Sequence, residues 1–302
     1  IGLEVHAQLN TASKLCTGAA NRCDPEQPNA FTDPYVLGMP GCLPVVNEQA
    51  VEYAAKAGLA LGCTVHETSI WARKQYFYPD LPKGYQISQY ARPLCTDGQL
   101  SFHTSEGPCT VRIERIHMEE DAGKSSHGAG GSRIDINRAG TPLIEIVSAP
   151  DLRSAEEAAT YLRELRAILV TIGITAGNLE EGSFRCDANV SIRPRGTKPL
   201  GTRAELKNIN SFRYVAQAID YEISRQASLL NAGGTVERET RLYDPQKKQT
   251  RAMRVKEGEA DYRYFPDPDL PPLFIAGERL EQLKASLPEL PATKRARWEN
   301  DY

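Results

Sequence analysis

From Ile1 to Leu9 the chain alternates: Ile1, Leu3, Val5 and Ala7 fall on one side and Gly2, Glu4, His6 and Gln8 on the other, the period of a half-buried strand. Glu4 and His6 therefore point the same way. Thr11 to Leu43 is rich in Pro, Gly, Asn and Asp without a period, which predicts a long loop or an elaborated hairpin. Asn47 then caps a helix over Glu48 to Leu61, whose apolar spacing ends at Gly62, where a left-handed terminator belongs. Trp71 to Tyr90 mixes aromatic and basic residues around Pro79-Asp80 and Pro82-Lys83-Gly84, and Gln99 to Met118 reads as a hairpin.

Two short strands follow, Arg133 to Asn137 and Leu143 to Val147, with Gly140-Thr141-Pro142 as the turn between them. Ser154 and Glu157 form a capping box for a helix that runs to Gly173. In Ser183 to Ile192, Phe184, Cys186, Ala188 and Val190 face one side, and Arg185, Asp187 and Asn189 the other. Thr202 to Asn208 is a further strand with Arg203, Glu205 and Lys207 on its polar side, and Ser211 caps a long helix over Phe212 to Leu230. Thr235 to Val255 is hairpin-like, and Asp261-Tyr262-Arg263-Tyr264-Phe265-Pro266 leads into a proline-rich exit. Ile275 to Pro288 reads as a short helix, and Ala292 to Tyr302 as the start of another helical region. Strand clusters broken by long helices predict an α+β fold with a largely antiparallel sheet, residues 1–290 forming one domain and 291–302 opening a second.

The chain has 302 residues, 40% of them hydrophobic and 25% charged, which suits a folded protein of one or two domains. A formal net charge of −3 provides no overall basic field, so a nucleic-acid contact would need a local patch or a partner. No apolar run is long enough to span a bilayer and no signal pattern is present, which predicts a cytosolic protein. Seven scattered cysteines predict reduced, buried thiols rather than a disulfide framework. A start at Ile1 and an end inside a charged helical segment read as a trimmed piece of something longer.

Candidate chemistry centres on His117 to Lys124, where Glu119, Glu120 and Asp121 stand together beside a histidine. Two carboxylates at about 4 Å repel by roughly 4 kcal/mol at an effective dielectric of 20, so a shared pocket calls for a cation or protons; the plain alternative is a solvated acidic turn. If Glu4, His6, Glu119, Glu120, Glu145 and Asp187 converge, they offer hard oxygen donors and one imidazole, a set suited to Mg²⁺ or Mn²⁺. Lys124, Arg138, Arg185, Arg203 and Lys207 would then meet phosphate oxygens. A metal-nucleotide enzyme, a metal-dependent nuclease and a non-catalytic scaffold all fit that inventory. Neither a Walker motif nor a kinase glycine-rich loop is present.

The residues as they stand resemble a known family, the GatB subunit of the aspartyl/glutamyl-tRNA amidotransferase. The likeness rests on Ile1 to His6, Pro40-Gly41 with Leu43 to Asn47, Tyr76 to Asp80, Tyr85 to Gln89, His117 to Lys124, Asn137 to Ser148, Arg185 to Ser191, Ala204 to Ser211 and Arg254 to Pro266. It implies a cradle-shaped domain akin to the glutamine synthetase catalytic fold. It also implies an ATP- and Mg²⁺-dependent ligase that phosphorylates the side-chain carboxylate of Glu on tRNA(Gln) or Asp on tRNA(Asn) and then amidates it. The ammonia would come through a channel from a partner amidase that splits glutamine, while a third, small protein of the heterotrimer wraps the pair; the alternative role is an assembly and tRNA-presenting scaffold of the same complex. Carried over by motif, His6, Glu120 and Glu145 are the expected Mg²⁺ ligands, joined by Glu119, with Glu4 and Asp187 at the metal-nucleotide site. Arg185, Arg203 and Lys207 are the expected phosphate contacts, and Glu120, Asp187 and Lys207 the expected catalytic residues. Lys74, Gln86, Ser88 and Asp121 are candidate channel residues. The expected location is the bacterial cytoplasm or an organellar matrix. Two departures stand out: Thr17, Ala19, Asp33 and Val36 occupy positions where many members carry zinc-binding cysteines, so no zinc is expected, and the chain stops where tRNA-gripping domains would begin.

Overall fold

The alternating segment at the start of the chain, Gly2–Gln8 (β1), lies in the middle of a nine-stranded sheet. In the computed structural model of this chain the described residues are 1–128, 130–255 and 262–301. Along them follow helix α1 (Glu48–Ala60), strands β2 (Thr64–Val65), β3 (Thr68–Ser69), β4 (Ala72–Gln75), β5 (Tyr85–Ser88), β6 (Cys95–Thr104), β7 (Gly107–Glu120), β8 (Lys124–Gly128), β9 (Gly131–Asp135) and β10 (Pro142–Ser148). Then come α2 (Ala155–Thr171), β11 (Phe184–Val190), β12 (Ala204–Lys207), α3 (Phe212–Asn231), β13 (Glu239–Asp244), β14 (Gln249–Val255), β15 (Phe265–Pro266), β16 (Leu273–Phe274), α4 (Gly277–Ala285) and α5 (Pro291–Asp301). The large sheet has the order β14-β13-β12-β11-β1-β10-β7-β6-β2, and every pairing in it is antiparallel except β12 with β13. The fold is α+β with a mostly antiparallel sheet.

Period-two alternation divides this sheet into an apolar and a polar face. Leu3, Val5 and Ala7 of β1, Ile144 and Ile146 of β10, and Phe184, Cys186, Ala188 and Val190 of β11 are buried in one core with the apolar sides of α1, α2 and α3. The three helices begin where their caps predict. Asn47 Oδ1 accepts from Ala50 N (3.2 Å), and Ser154 Oγ and Ser211 Oγ accept from Glu157 N and Tyr214 N (3.1 Å each), contacts of about 1 kcal/mol apiece. The reciprocal half of the α2 capping box is displaced by one residue: Glu157 Oε2 accepts from Arg153 N rather than Ser154 N.

Two expectations need correction, the hairpin at Arg133 to Asn137 and the burial of all the cysteines. The strand read as Arg133 to Asn137 does not form a hairpin with the following one; β9 pairs with β8, while β10 joins the central sheet between β1 and β7. Adjacency in sequence favours the local hairpin, but the apolar face of β10 has a larger buried surface to reach. Thr11 to Leu43 is irregular, as the long-loop reading expects, with one isolated bridge between Ser13 and Ala20. Of the seven cysteines, Cys16, Cys95 and Cys186 are buried, Cys42, Cys63 and Cys109 are half-buried and Cys23 is exposed. Asp261, the first residue of the tyrosine-rich motif, lies outside the described residues, as do 256–260 of the stretch running from Arg254 to Pro266.

At its far end β7 runs past its partner β6, whose last pairing is Cys95 with Ile116. Side chains from the β5 region close the exposed edge: Gln89 Oε1 accepts from Met118 N (3.1 Å), and Gln86 Nε2 donates to the Glu120 carbonyl. This seals the strand end that carries the acidic triplet.

Candidate active site

On β7, His117 and Glu119 point to the polar face of the sheet, and cross-strand register brings further groups beside them. His6 pairs with Glu145, Glu145 with His117, Glu4 with Asp187, and Asn189 with Glu205. The result is two clusters whose donor atoms lie within 4.8 Å of one another, His6-Glu119-Glu145 and Glu4-Asp187-Glu205. His6 and Glu145 of the first and all three residues of the second border a chamber of about 220 Å³ whose wall also includes Lys74, Lys207, Tyr262 and Tyr264.

In the first cluster, His6 Nε2 stands 3.4 Å from Glu145 Oε2 and 3.6 Å from Glu119 Oε1, and His117 Nε2 stands 3.3 Å from Glu145 Oε2. Burial by itself would raise the Glu145 carboxyl, but the imidazoles of His117 and His6 outweigh it and hold it well below the usual carboxylate range. Burial by itself would lower His6; Glu145 and then Glu119 outweigh that and raise it to about 9. In the second cluster, burial and then the charges of Glu145, Glu205 and Asp187 push the Glu4 carboxyl upward, while Asn189 Nδ2 donates to Glu4 Oε1 (2.9 Å). Lys207 Nζ donates to Asp187 Oδ2 and lies 3.4 Å from Glu205 Oε1. Desolvation opposes the Lys207 charge, but Asp187 and Glu205 overcome it and raise its pKa.

The donor set fits a hard divalent cation. Carboxylates on both sides of one imidazole supply the ligand type that Mg²⁺ or Mn²⁺ takes. Glu119 Oε2 and His117 Nδ1 are buried without a hydrogen-bond partner among the described residues. Such orphaned atoms mark unsatisfied binding capacity.

Of the residues singled out from sequence, the structure brings Glu4, His6, Glu119, Glu145 and Asp187 onto one face, with Lys207 beside them. Glu120 is not among them. Consecutive strand residues point to opposite faces, so Glu120 turns to the core side, where its Oε2 accepts from Lys83 Nζ (2.5 Å) and Ile87 N (3.1 Å). A solvated acidic turn is likewise ruled out, since Glu119, Glu120 and Asp121 are all buried. Arg185 shares the polar face but is engaged at its far end: its Nη2 donates to Asp121 Oδ2 (2.9 Å), which also accepts from Gln8 Nε2 (2.9 Å). Arg138 donates to the Ala122 and Gly123 carbonyls and, with Lys124 and Arg185, borders a separate cleft of about 910 Å³. Arg203 borders the chamber. Lys74, named for a channel, also borders it; Ser88 is buried.

Sequence reasoning left Glu205 out of the site, although it alternates with Lys207 on the polar side of its strand, as Asp187 does with Arg185. Thr240 carried no signal. It is buried on β13 opposite Glu205, and its hydroxyl donates to Glu205 Oε2 (2.9 Å), a contact created by the one parallel pairing of the sheet.

Relatives match over the whole chain. It is 57% identical over 304 residues to the GatB subunit of the aspartyl/glutamyl-tRNA(Asn/Gln) amidotransferase of Myxococcus xanthus, covering 100% of this chain and 63% of that protein. It is 59% identical over 304 residues to the protein of the same description from Nitratidesulfovibrio vulgaris, covering 64% of it. The Syntrophotalea carbinolica counterpart is 58% identical over 302 residues, with 62% of its length covered. The chain thus spans less than two thirds of the length of these relatives. Residues 1–281 match the family described as the GatB/GatE catalytic domain, and it is to this family that the chain belongs.

Proposed function

We propose that this chain is the carboxylate-activating part of the GatB subunit of a tRNA-dependent amidotransferase, acting with ATP and Mg²⁺ on glutamate or aspartate esterified to tRNA. The observation that carries the reading is the pair of acid clusters on one open sheet face, His6-Glu119-Glu145 and Glu4-Asp187-Glu205, flanked by Lys74 and Lys207. A carboxylate is a poor electrophile at neutral pH. In the proposed reaction its oxygen attacks the γ-phosphorus, the bond from that phosphorus to the bridging oxygen breaks, and ADP leaves. Ammonia then adds to the carbonyl carbon, the carbon–oxygen bond to phosphate breaks, and the departing phosphate takes the proton that nitrogen sheds.

His6, Glu119 and Glu145 would hold one cation and Glu4, Asp187 and Glu205 a second. When bound, the cations supply charge neutralisation of the phosphate oxygens. The chain's own residues do the rest. Lys207, fixed by Asp187, and Lys74, kept protonated by Glu119 against the desolvation that opposes its charge, present ammonium groups at fixed positions to the transferring phosphoryl group. The names of the relatives support a multi-protein amidotransferase that works on aminoacyl-tRNA. Within it a partner amidase would supply the ammonia and a small third protein would hold the pair together. Glu120 has no place in this cation site, because its charge is already balanced by Lys83.

The test is γ-phosphate transfer from labelled ATP in the complex of the full-length protein with its partners, with mischarged tRNA present or absent. ADP formation that needs both Mg²⁺ and the mischarged tRNA, and is lost in Glu145→Gln, is the expected result. Release of AMP and pyrophosphate, or turnover indifferent to tRNA, overturns the reading. A loss of complex assembly in Glu145→Gln that precedes any loss of turnover would instead indicate a scaffold.

A further inference from the structure

Strand direction places three arginines at one end of the acidic face. β7 runs antiparallel to β10, β10 to β1, β1 to β11 and β11 to β12, so β7, β1 and β12 point the same way, and β13 is parallel to β12. A residue lying two positions before a site residue on any of these segments falls at the same end. Arg115 precedes His117 in this way on β7, Arg203 precedes Glu205, and Arg238 precedes Thr240. All three border the chamber, yet none of their side chains makes an ion pair or hydrogen bond with a described residue. Arg115 Nε is also buried without a partner. On β1 the corresponding position is Gly2, which adds no side chain.

The opposite end of the face is built differently. There Arg185 is engaged by Asp121, and the larger cleft opens, with Asp187 bordering both cavities. Unpaired guanidinium groups gathered at one place repel one another, and a polyanion relieves that repulsion while accepting their forked donors.

We propose that Arg115, Arg203 and Arg238 form a clamp for the polyphosphate of a nucleoside triphosphate. The clamp fixes the nucleotide with its phosphate chain entering from the arginine end, while the carboxylate acceptor approaches from the Arg185 end. This rests on the reading of the face as an ATP site and extends it, adding Arg115 and Arg238 to the contacts and giving the site a direction.

The test is calorimetric titration of the full-length protein with Mg²⁺-ATP and, separately, Mg²⁺-tripolyphosphate, in wild type, Arg203→Gln, Arg238→Gln, Arg115→Gln and the corresponding lysine variants. The exposed Arg163→Gln on α2 serves as control. Each glutamine variant should weaken both ligands by about 10- to 100-fold, the lysine variants recovering part of the loss, and Arg163→Gln should change neither. Arg185→Gln should raise KM for the mischarged tRNA while leaving Mg²⁺-ATP affinity unchanged. If ATP binds and the three variants leave its Kd within about twofold, the clamp is wrong and the ATP reading survives. Arginine-dependent binding of tripolyphosphate without any binding of ATP keeps the clamp and removes the ATP reading. Failure of wild type to bind either ligand overturns the clamp, and a loss of ATP affinity in Arg185→Gln equal to that in Arg203→Gln overturns the assigned direction.

Discussion

Glu119 and Glu120 are neighbours in the chain and almost equally buried, yet they occupy opposite sides of the sheet and have opposite electrostatic circumstances. Glu119 faces imidazoles, its Oε2 no nearer than 4.0 Å to His117 Nε2, in a group with His6 and Glu145 whose donor atoms lie close enough together to hold a small cation. Glu120 meets a fixed ammonium at 2.5 Å and a backbone amide at 3.1 Å. A carboxylate balanced by a built-in cation contributes to structure, whereas one left among other acids has capacity for a ligand. Burial alone does not separate the two cases. What separates them is whether the compensating charge belongs to the chain.

The sharpest way to break this contrast is to neutralise each side in turn. On the polar face, Glu145→Gln removes the anion that both histidines address; turnover should fall by about 10³-fold, and thermal stability should fall as well, because the imidazoles that hold this carboxylate ionised lose their partner. A steady-state assay paired with a melting curve checks both halves. On the core side, Glu120→Ala leaves Lys83 buried without its partner, and stability should drop by roughly 3 kcal/mol; adding Lys83→Met should recover much of it. Urea unfolding of the single and double variants measures this, and a double variant no more stable than the single one would contradict the account.

Lys14 offers a smaller effect on the same side. It is fully buried, its Nζ donates to the Ala139 carbonyl (2.6 Å), and burial lowers its pKa to about 8. The unfolded chain then binds more protons than the folded one between about pH 8 and the ordinary lysine value near 10.4, so this group makes the protein more stable as pH rises through that window, by at most ~1.4 kcal/mol per pH unit. Wild type should gain on Lys14→Met across that range and run parallel to it below about pH 7. Least in size, Thr240→Val removes the hydroxyl that orients Glu205; apparent Mg²⁺ affinity should weaken by about 10-fold, with Thr240→Ser restoring it.

The strand faces were legible wherever alternation was applied consistently. Phe184 to Val190 divides into core and site as the sequence reads, and Glu4 with His6 points as the first nine residues imply. The triplet at 119–121 is dense in charge but not a single cluster, because the period-two rule places Glu120 on the core side against Lys83. What the sequence does not carry is partner choice between distant strands. Nothing local to Pro142–Ser148 announces that it pairs with β1 and β7 rather than with β9, and nothing near Thr240 announces a parallel neighbour at Glu205. The direction of the arginine end follows from those pairings and so was equally out of reach.

The position of β1 also bears on how the molecule comes into being. This segment is the middle strand of the large sheet, but its two partners are Pro142–Ser148 and Phe184–Val190, both far downstream. During synthesis the stripe Leu3-Val5-Ala7 therefore leaves the ribosome with nothing to pair with, and the sheet cannot close around it until β11 has emerged. Long-range closure of this kind is slow, and the waiting strand is a sticky apolar ribbon in the meantime. The acidic face, which needs β1 between β10 and β11, cannot assemble before both of those strands have been made.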